Sequence, residues 1–226
     1  MGWHYDELRQ VGTDFEDAGQ VAIYDDRQGV DAAGHTAILD RLGVGTGTRF
    51  VELGCGTGWL SIRAAQRGAG VTAVDVSGEM LAAAGRNAER EAAEVRLVRA
   101  GFLTFEPGEP VDVVASCFAL HHLNDFWKQA ALLRIASMLR PGGHFFLRDV
   151  VFSFDADDYE AGAERWISEM TGDGSGWSRE AFETHLRDEH STYAWIMRGL
   201  LERAGFAVEE DRRTPAYADY ACTLPV

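Results

Sequence analysis

Val51-Glu52-Leu53-Gly54-Cys55-Gly56-Thr57-Gly58 is the stretch on which the reading of this chain turns. An apolar strand over 49–53 runs into three glycines at alternate positions, Gly54, Gly56 and Gly58, and a small-residue helix over 58–68 follows. Glycine lets the backbone turn sharply and approach a ligand with no Cβ in the way. In a parallel sheet such a turn lies at the carboxyl edge, where open α/β folds bind ligands. Seventeen residues beyond Gly58, a second apolar strand over 70–74 ends in Asp75. A carboxylate there can accept both hydroxyls of a ribose, so the two features together predict a nucleoside cofactor. The spacing is not the dinucleotide fingerprint G-x-G-x-x-G. Trp59 holds its third-glycine position and is too large for the close helix–strand contact made there.

The glycine loop resembles motif I of the class I S-adenosylmethionine (SAM)-dependent methyltransferases, and the resemblance continues in order along the chain. Thr72-Ala-Val-Asp-Val-Ser-Gly-Glu-Met-Leu81 resembles the second motif of the family, and Val111-Asp-Val-Val-Ala-Ser-Cys-Phe-Ala-Leu-His-His-Leu123 the fourth. Leu139-Arg-Pro-Gly-Gly143 resembles the turn into strand five, and Leu200-Leu-Glu-Arg-Ala-Gly-Phe206 the helix entering strand six. Residues 20–151 and 195–226 are covered, closest to the type 11, UbiE-like small-molecule branch. The resemblance implies an α/β fold: a doubly wound, seven-stranded, mostly parallel sheet forming a single domain over 1–226. It also implies an N-terminal helical lid over 1–30 and a helical substrate-cap insertion over 152–195.

The implied cofactor is SAM and its product S-adenosylhomocysteine. By resemblance Gly54, Cys55, Gly56 and Gly58 wrap the methionine moiety. Glu52 either meets the ligand or buttresses the loop. Asp75 takes the ribose; its alternative is an acid favouring the dipole of the next helix. Val76 and Met80 line the adenine. Many relatives carry an Asp after a Gly beyond strand three to accept from the adenine amino group; here Gly101 is followed by Phe102, whose backbone N–H and ring remain for the adenine. Ser116 and Cys117 face the sulfonium. Tyr24, in Tyr24-Asp-Asp-Arg27, closes the donor pocket or is an ordinary helix contact.

Methyl transfer from a sulfonium is an in-line displacement that depends chiefly on positioning. A general base is required only when the acceptor carries a proton. His121 and His122, just past strand four, are the candidates, since an imidazole can take a proton at neutral pH. In the cap, Trp166, His190 and Tyr193 are candidate substrate contacts, although aromatic residues at helical spacing also build cores. Arg148 either meets a substrate carboxylate or pairs with a neighbouring acid, Asp149. No metal-ligand set is read from the sequence. The three cysteines, Cys55, Cys117 and Cys222, lie far apart without a C-x-x-C pair, which argues against disulfides and structural zinc.

The formal net charge is −15, and Lys128 is the only lysine. Such a chain repels phosphate backbones, so a nucleic-acid partner is disfavoured and a small-molecule acceptor is expected. No apolar run has membrane-spanning length, and the first residues lack a secretory pattern; a cytoplasmic enzyme is the expectation. A homodimer is a common outcome for such enzymes, and nothing in the sequence decides it. The acceptor reading is an oxygen, nitrogen or carbon atom of an aromatic or polycyclic metabolite. The alternatives are an RNA or protein methyltransferase, and a SAM-binding scaffold without transfer chemistry. The Asn/Asp-Pro-Pro-aromatic motif of base-amino methylation is absent, Ser116-Cys-Phe-Ala119 standing in its place.

Periodicity and punctuation predict strands over 49–53, 70–74, 95–98, 111–116 and 143–149, with further strands near 206–211 and 217–223. Helices are predicted over 31–42, 58–68, 78–90, 126–139, 178–187 and 191–204. This alternation predicts parallel strands joined by right-handed crossovers.

Overall fold

The computed structural model describes residues 2–9, 15–28, 30–172 and 177–226. Parts of the expected lid (1, 10–14 and 29) and the turn over 173–176 in the expected cap lie outside the described residues.

The chain begins with α1 (Ala18–Ala22), α2 (Tyr24–Gln28) and α3 (Ala32–Arg41). The alternating body follows: β1 (Arg49–Leu53), α4 (Trp59–Gln66), β2 (Gly70–Asp75), α5 (Gly78–Arg90), β3 (Val95–Arg99) and β4 (Val111–Cys117). A 3-10 turn at Leu120–His122 precedes α6 (Asp125–Met138) and β5 (Leu139–Asp149). The inserted segment carries β6 (Val151–Phe152), α7 (Tyr159–Gly172), α8 (Arg179–Asp188) and β7 (Thr192–Tyr193). The chain closes with α9 (Ala194–Arg203), β8 (Ala207–Arg213) and β9 (Ala218–Thr223).

The main sheet has seven strands in the order β3-β2-β1-β4-β5-β9-β8. β1 to β5 pair in parallel, and β9 lies antiparallel to both β5 and β8. The strand order reverses between β1 and β4, and the carboxyl ends of strands at such a switch point frame a crevice. Successive residues on a strand face opposite sides, and the core divides accordingly. Val51, Leu53 and Val114 pack with Leu132, Ile135 and Met197 on one face. Phe50, Val113 and Ala115 pack with Leu39, Leu60 and Ala64 on the other.

Caps fix where the helices start. The Ser77 hydroxyl accepts the Met80 N–H at 3.0 Å, and the Asn124 side chain accepts the Trp127 N–H at 3.3 Å. The seven predicted strands and six predicted helices are all present, with ends shifted by a few residues. The largest difference is α7, which the acidic run at 155–160 hides. Its buried positions, Gly162, Trp166 and Ile167, recur at helical spacing. The helix predicted from 191 begins at Ala194, because Thr192 and Tyr193 pair with Val151 and Phe152 instead. Among the described residues, no helix is long and apolar enough to cross a membrane.

Candidate functional site

A cavity of about 520 Å³ opens at the switch point, within the size range of small-molecule sites. One end is made by the glycine loop. Gly54, Gly56 and Gly58 have φ of +70°, +52° and +84°, in the left-handed region that glycine tolerates. A Cβ on Gly54 would lie 2.2 Å from the Ala119 Cβ, so the close approach of this loop to the β4 side requires glycine. Gly58 does a different job from the one expected. It lies outside the cavity lining at the start of α4, and a Cβ there would meet Ala84 of α5 at 3.0 Å.

Asp75 sits at the floor of this end, 9% exposed. Its Oδ2 accepts the Gly56 N–H at 2.8 Å and its Oδ1 the Ser77 N–H at 2.9 Å. Burial raises its pKa, and these backbone donors oppose the rise. Glu52 is deeper, with Oε2 accepting both the Ser61 N–H (2.9 Å) and the Ser61 hydroxyl (2.5 Å). It lines the cavity and anchors α4 to β1 at once. Burial lifts its pKa to about 8 despite the Ser61 bonds, against 4.5 for an exposed glutamate. The native state therefore holds a proton that the unfolded state releases, and stability falls as pH rises through that window. Glu52→Gln is expected to gain stability relative to the wild type from about pH 5 to about pH 8 and to level off above, read from urea melts across that range. A pH-independent difference would show that Glu52 is ionised in the fold.

The N-terminal helices close over the loop. The Asp25 carboxylate accepts the Thr57 hydroxyl at 2.5 Å and the Trp59 indole N–H at 3.0 Å. That contact explains why Trp59 stands where a dinucleotide-binding loop has glycine. Tyr24 comes within 4.0 Å of where a Gly56 Cβ would be, and burial, then Asp75, keep its phenol neutral. Val76, Met80, Gly101 and Phe102 line the same end. Beside them the Glu7 carboxylate accepts the Leu103 N–H at 2.8 Å and the Thr104 hydroxyl at 2.5 Å.

The other end gathers groups from β4, β5 and the insertion. Cys117 lines the cavity, while Ser116 is fully buried outside the lining. Adjacent strand residues face opposite ways, so the two could not both face a ligand, and the expectation for Ser116 is corrected. Burial and the nearby Glu52 hold the Cys117 thiol protonated. His121 Nδ1 meets Asp149 Oδ1 at 2.5 Å, and its Nε2 lies 3.3 Å from Glu189 Oε2. Burial alone would lower the His121 pKa, but the two carboxylates outweigh it and push it up to about 10. The His121 ring is thus held between the Asp149 and Glu189 carboxylates. His122, with ring centroid 4.4 Å from that of His121, is pushed down to about 4 by burial and by the His121 charge. It is a neutral imidazole facing the cavity. His185 Nδ1 meets the same Glu189 oxygen at 2.5 Å.

Arg148 does line the cavity, but its charge is matched. Its guanidinium makes two bonds to Asp219, at 2.7 and 3.0 Å, and stands 4.9 Å from the Tyr217 ring centroid. The expected salt bridge forms with Asp219 across the β5–β9 pair, since Asp149 is engaged by His121. Trp166, His190 and Tyr193 lie outside the lining. Trp166 is packed behind it against Phe152, Phe182 and His185. His190 donates its N–H to the His121 carbonyl at 2.9 Å, and Tyr193 packs against Phe152, Phe154 and Trp195. What lines this end instead includes Phe118, Met170, Trp177, Phe182, Glu189 and Tyr217. Phe118 has φ of +55°, a conformation that non-glycine residues adopt rarely. Its position directly after Cys117 was the one signal that could have found it. Glu189 and Tyr217 sit in no motif.

Residues 50–143 match the family profile described as "Methyltransferase domain". An uncharacterized methyltransferase of Geobacillus kaustophilus is 34% identical over 57% of this chain, a span covering 59% of that relative. One from Bacillus mycoides is 30% identical over 70% of this chain and 69% of its own length. In structure, a SAM-dependent methyltransferase from Aquifex aeolicus superposes with a TM-score of 0.64 over 92% of this chain and 98% of that one, at 16% identity. The glycine cradle, the buried Asp75 at the end of β2 and the seven-stranded sheet fit that cofactor. The chain therefore belongs to the methyltransferases, and its fold is that of a SAM-dependent one.

Proposed function

We propose that this enzyme transfers a methyl group from SAM to a small acceptor enclosed between β4, β5 and the inserted helices. The observation that carries this reading is a continuous cavity lined at one end by the Asp75 loop and at the other by His121, His122 and Glu189. SAM supplies an electrophilic methyl on a sulfonium cation. Asp75 is assigned to the ribose. Gly54, Cys55 and Gly56 present backbone to the methionine end, and Tyr24 covers it. Val76, Met80 and Phe102 flank the adenine. Glu7 places a carboxylate beside the loop that lacks the family's aspartate.

The enclosure supports a small acceptor. The Arg27 guanidinium of α2 stands 5.6 Å from the Trp177 ring, so N-terminal and inserted segments meet across the mouth. Phe118, Tyr217 and Phe182 offer aromatic walls to a flat ligand. Positioning is the main catalytic contribution of these walls and can supply about 7–11 kcal/mol.

The test is methyl-labelled SAM offered with a panel of phenols, enols and amines, with total RNA and with unfolded protein. The expected result is label in extractable small molecules. Label in RNA or protein would overturn the reading. SAM binding without turnover on any acceptor would favour the scaffold alternative.

A further inference from the structure

The acceptor end holds a cluster that methyl transfer by positioning alone does not use. Donor atoms of His121, His122 and Glu189 all lie within 4.8 Å of one another, and all three residues line the cavity. We propose that they form a two-histidine, one-carboxylate site for a first-row divalent metal ion, open on the cavity side. This rests on the reading above, since the open positions face the acceptor.

Four observations support it. First, two imidazoles and a carboxylate suit zinc, iron, cobalt or manganese better than magnesium or calcium, which favour oxygen ligands. Second, His121 Nε2 and Glu189 Oε2 are 3.3 Å apart, the separation that bonds of about 2.1 Å at roughly tetrahedral angles produce. Third, the outer partners are in place. The buried Asp149 carboxylate holds His121 Nδ1, which leaves Nε2 as the ligand atom, the arrangement that orients metal-binding histidines. His185 orients Glu189 in the same way and is itself held through Nε2 by the Ser191 hydroxyl at 2.7 Å. Fourth, the cluster carries excess negative charge. Among the described residues, the ion pairs of the Asp149 and Glu189 carboxylates are with imidazoles alone, and Asp149 Oδ2 is buried without a partner. A divalent cation corrects that imbalance. On binding, the ion takes the Nε2 lone pair of His121, and the proton held there leaves to solvent.

A metal at this position would accept an oxygen atom of the acceptor as a ligand and favour its deprotonated form. His122 then serves as a ligand. The acceptor class narrows to molecules with an oxygen donor at or beside the methylated atom. The sequence offered no such prediction, because Glu189 reaches the two histidines only through the fold.

The experiment is calorimetric titration of chelator-stripped protein with Co²⁺ and with Zn²⁺, with SAM binding measured on the same samples. The expected result is one saturable site, weakened about tenfold or more in both Glu189→Gln and His122→Ala. His190→Ala, whose ring is outside the cluster, should bind like the wild type. The visible spectrum of the Co²⁺-loaded wild type provides a readout independent of variants and should show nitrogen and oxygen ligation without thiolate charge transfer. No saturable binding below about 100 μM, a thiolate band, or affinity unchanged in both variants would overturn the site. If SAM binds while metal does not, the metal site fails and the methyltransferase reading stands. If SAM does not bind, that reading fails whatever the metal does.

Discussion

Asp75→Ala is expected to weaken SAM binding about tenfold or more, each lost charge-assisted hydrogen bond being worth about 1.5–3 kcal/mol. The carboxylate has two tasks. It fixes the glycine loop through the Gly56 and Ser77 N–H groups, and it keeps acceptor capacity for the ribose hydroxyls. Alanine removes both. Asp75→Asn keeps the shape but has one acceptor oxygen, so its NH2 must face either the Gly56 or the Ser77 N–H, and an intermediate loss is expected. Calorimetry with SAM and S-adenosylhomocysteine on the three proteins measures the effect, with circular dichroism as the check on folding. If Asp75→Ala binds within about twofold of the wild type, less than about 0.5 kcal/mol, the ribose does not lie along Asp75 and the residue serves only the loop.

Lys128→Met is expected to destabilise the protein by about 3 kcal/mol, lowering Tm by roughly 6–12 °C for a chain of this size. Lys128 is the sole lysine and is completely buried on α6. Its ammonium donates to Asp125 Oδ1 at 2.9 Å and to the backbone carbonyl of His190. The Thr192 hydroxyl bonds the other Asp125 oxygen at 3.2 Å. Together these bonds tie α6 to the segment that follows α8, the segment that presents Glu189. Methionine retains most of the volume, so the loss isolates the polar contacts. The part-buried His190 carbonyl then loses its ammonium partner, a penalty of about 1–3 kcal/mol. The Asp125 share is smaller, because that carboxylate is about half exposed. Urea denaturation checks the magnitude. SAM affinity should change little, as the glycine loop lies at the far end of the cavity. A loss below about 0.5 kcal/mol, the scale of ordinary surface changes, would show that the staple does not hold the segment.

The fold and the donor end were legible because their signals are local. Gly54, Gly56 and Asp75 sit at the ends of apolar runs, and strand ends in a parallel sheet gather at one edge. The acceptor end was not legible in the same way. His121 and His122 are adjacent in sequence, but Asp149 and Glu189, which decide the charge of His121, come from β5 and from beyond α8. Likewise the partner of Arg148 is Asp219, not its sequence neighbour. Ser116 does not join Cys117 in the lining because successive strand residues face opposite sides. Trp166 and Tyr193 illustrate an ambiguity in aromatic patterns: the same residues could line a cleft or support its wall, and only the packing against Phe152 decides.

The burial of Lys128 makes the protein a clean subject for chemical labelling. An acylating reagent meets no other lysine on this chain, and the one present is sealed between α6 and the His190 carbonyl. Its rate of acylation therefore reports the opening of that seam, as a population at low reagent and as a rate once acylation outpaces reclosing, a local opening that need not involve global unfolding. A peptide-level mass measurement of the Lys128 adduct would follow the breathing of that seam without any engineered probe.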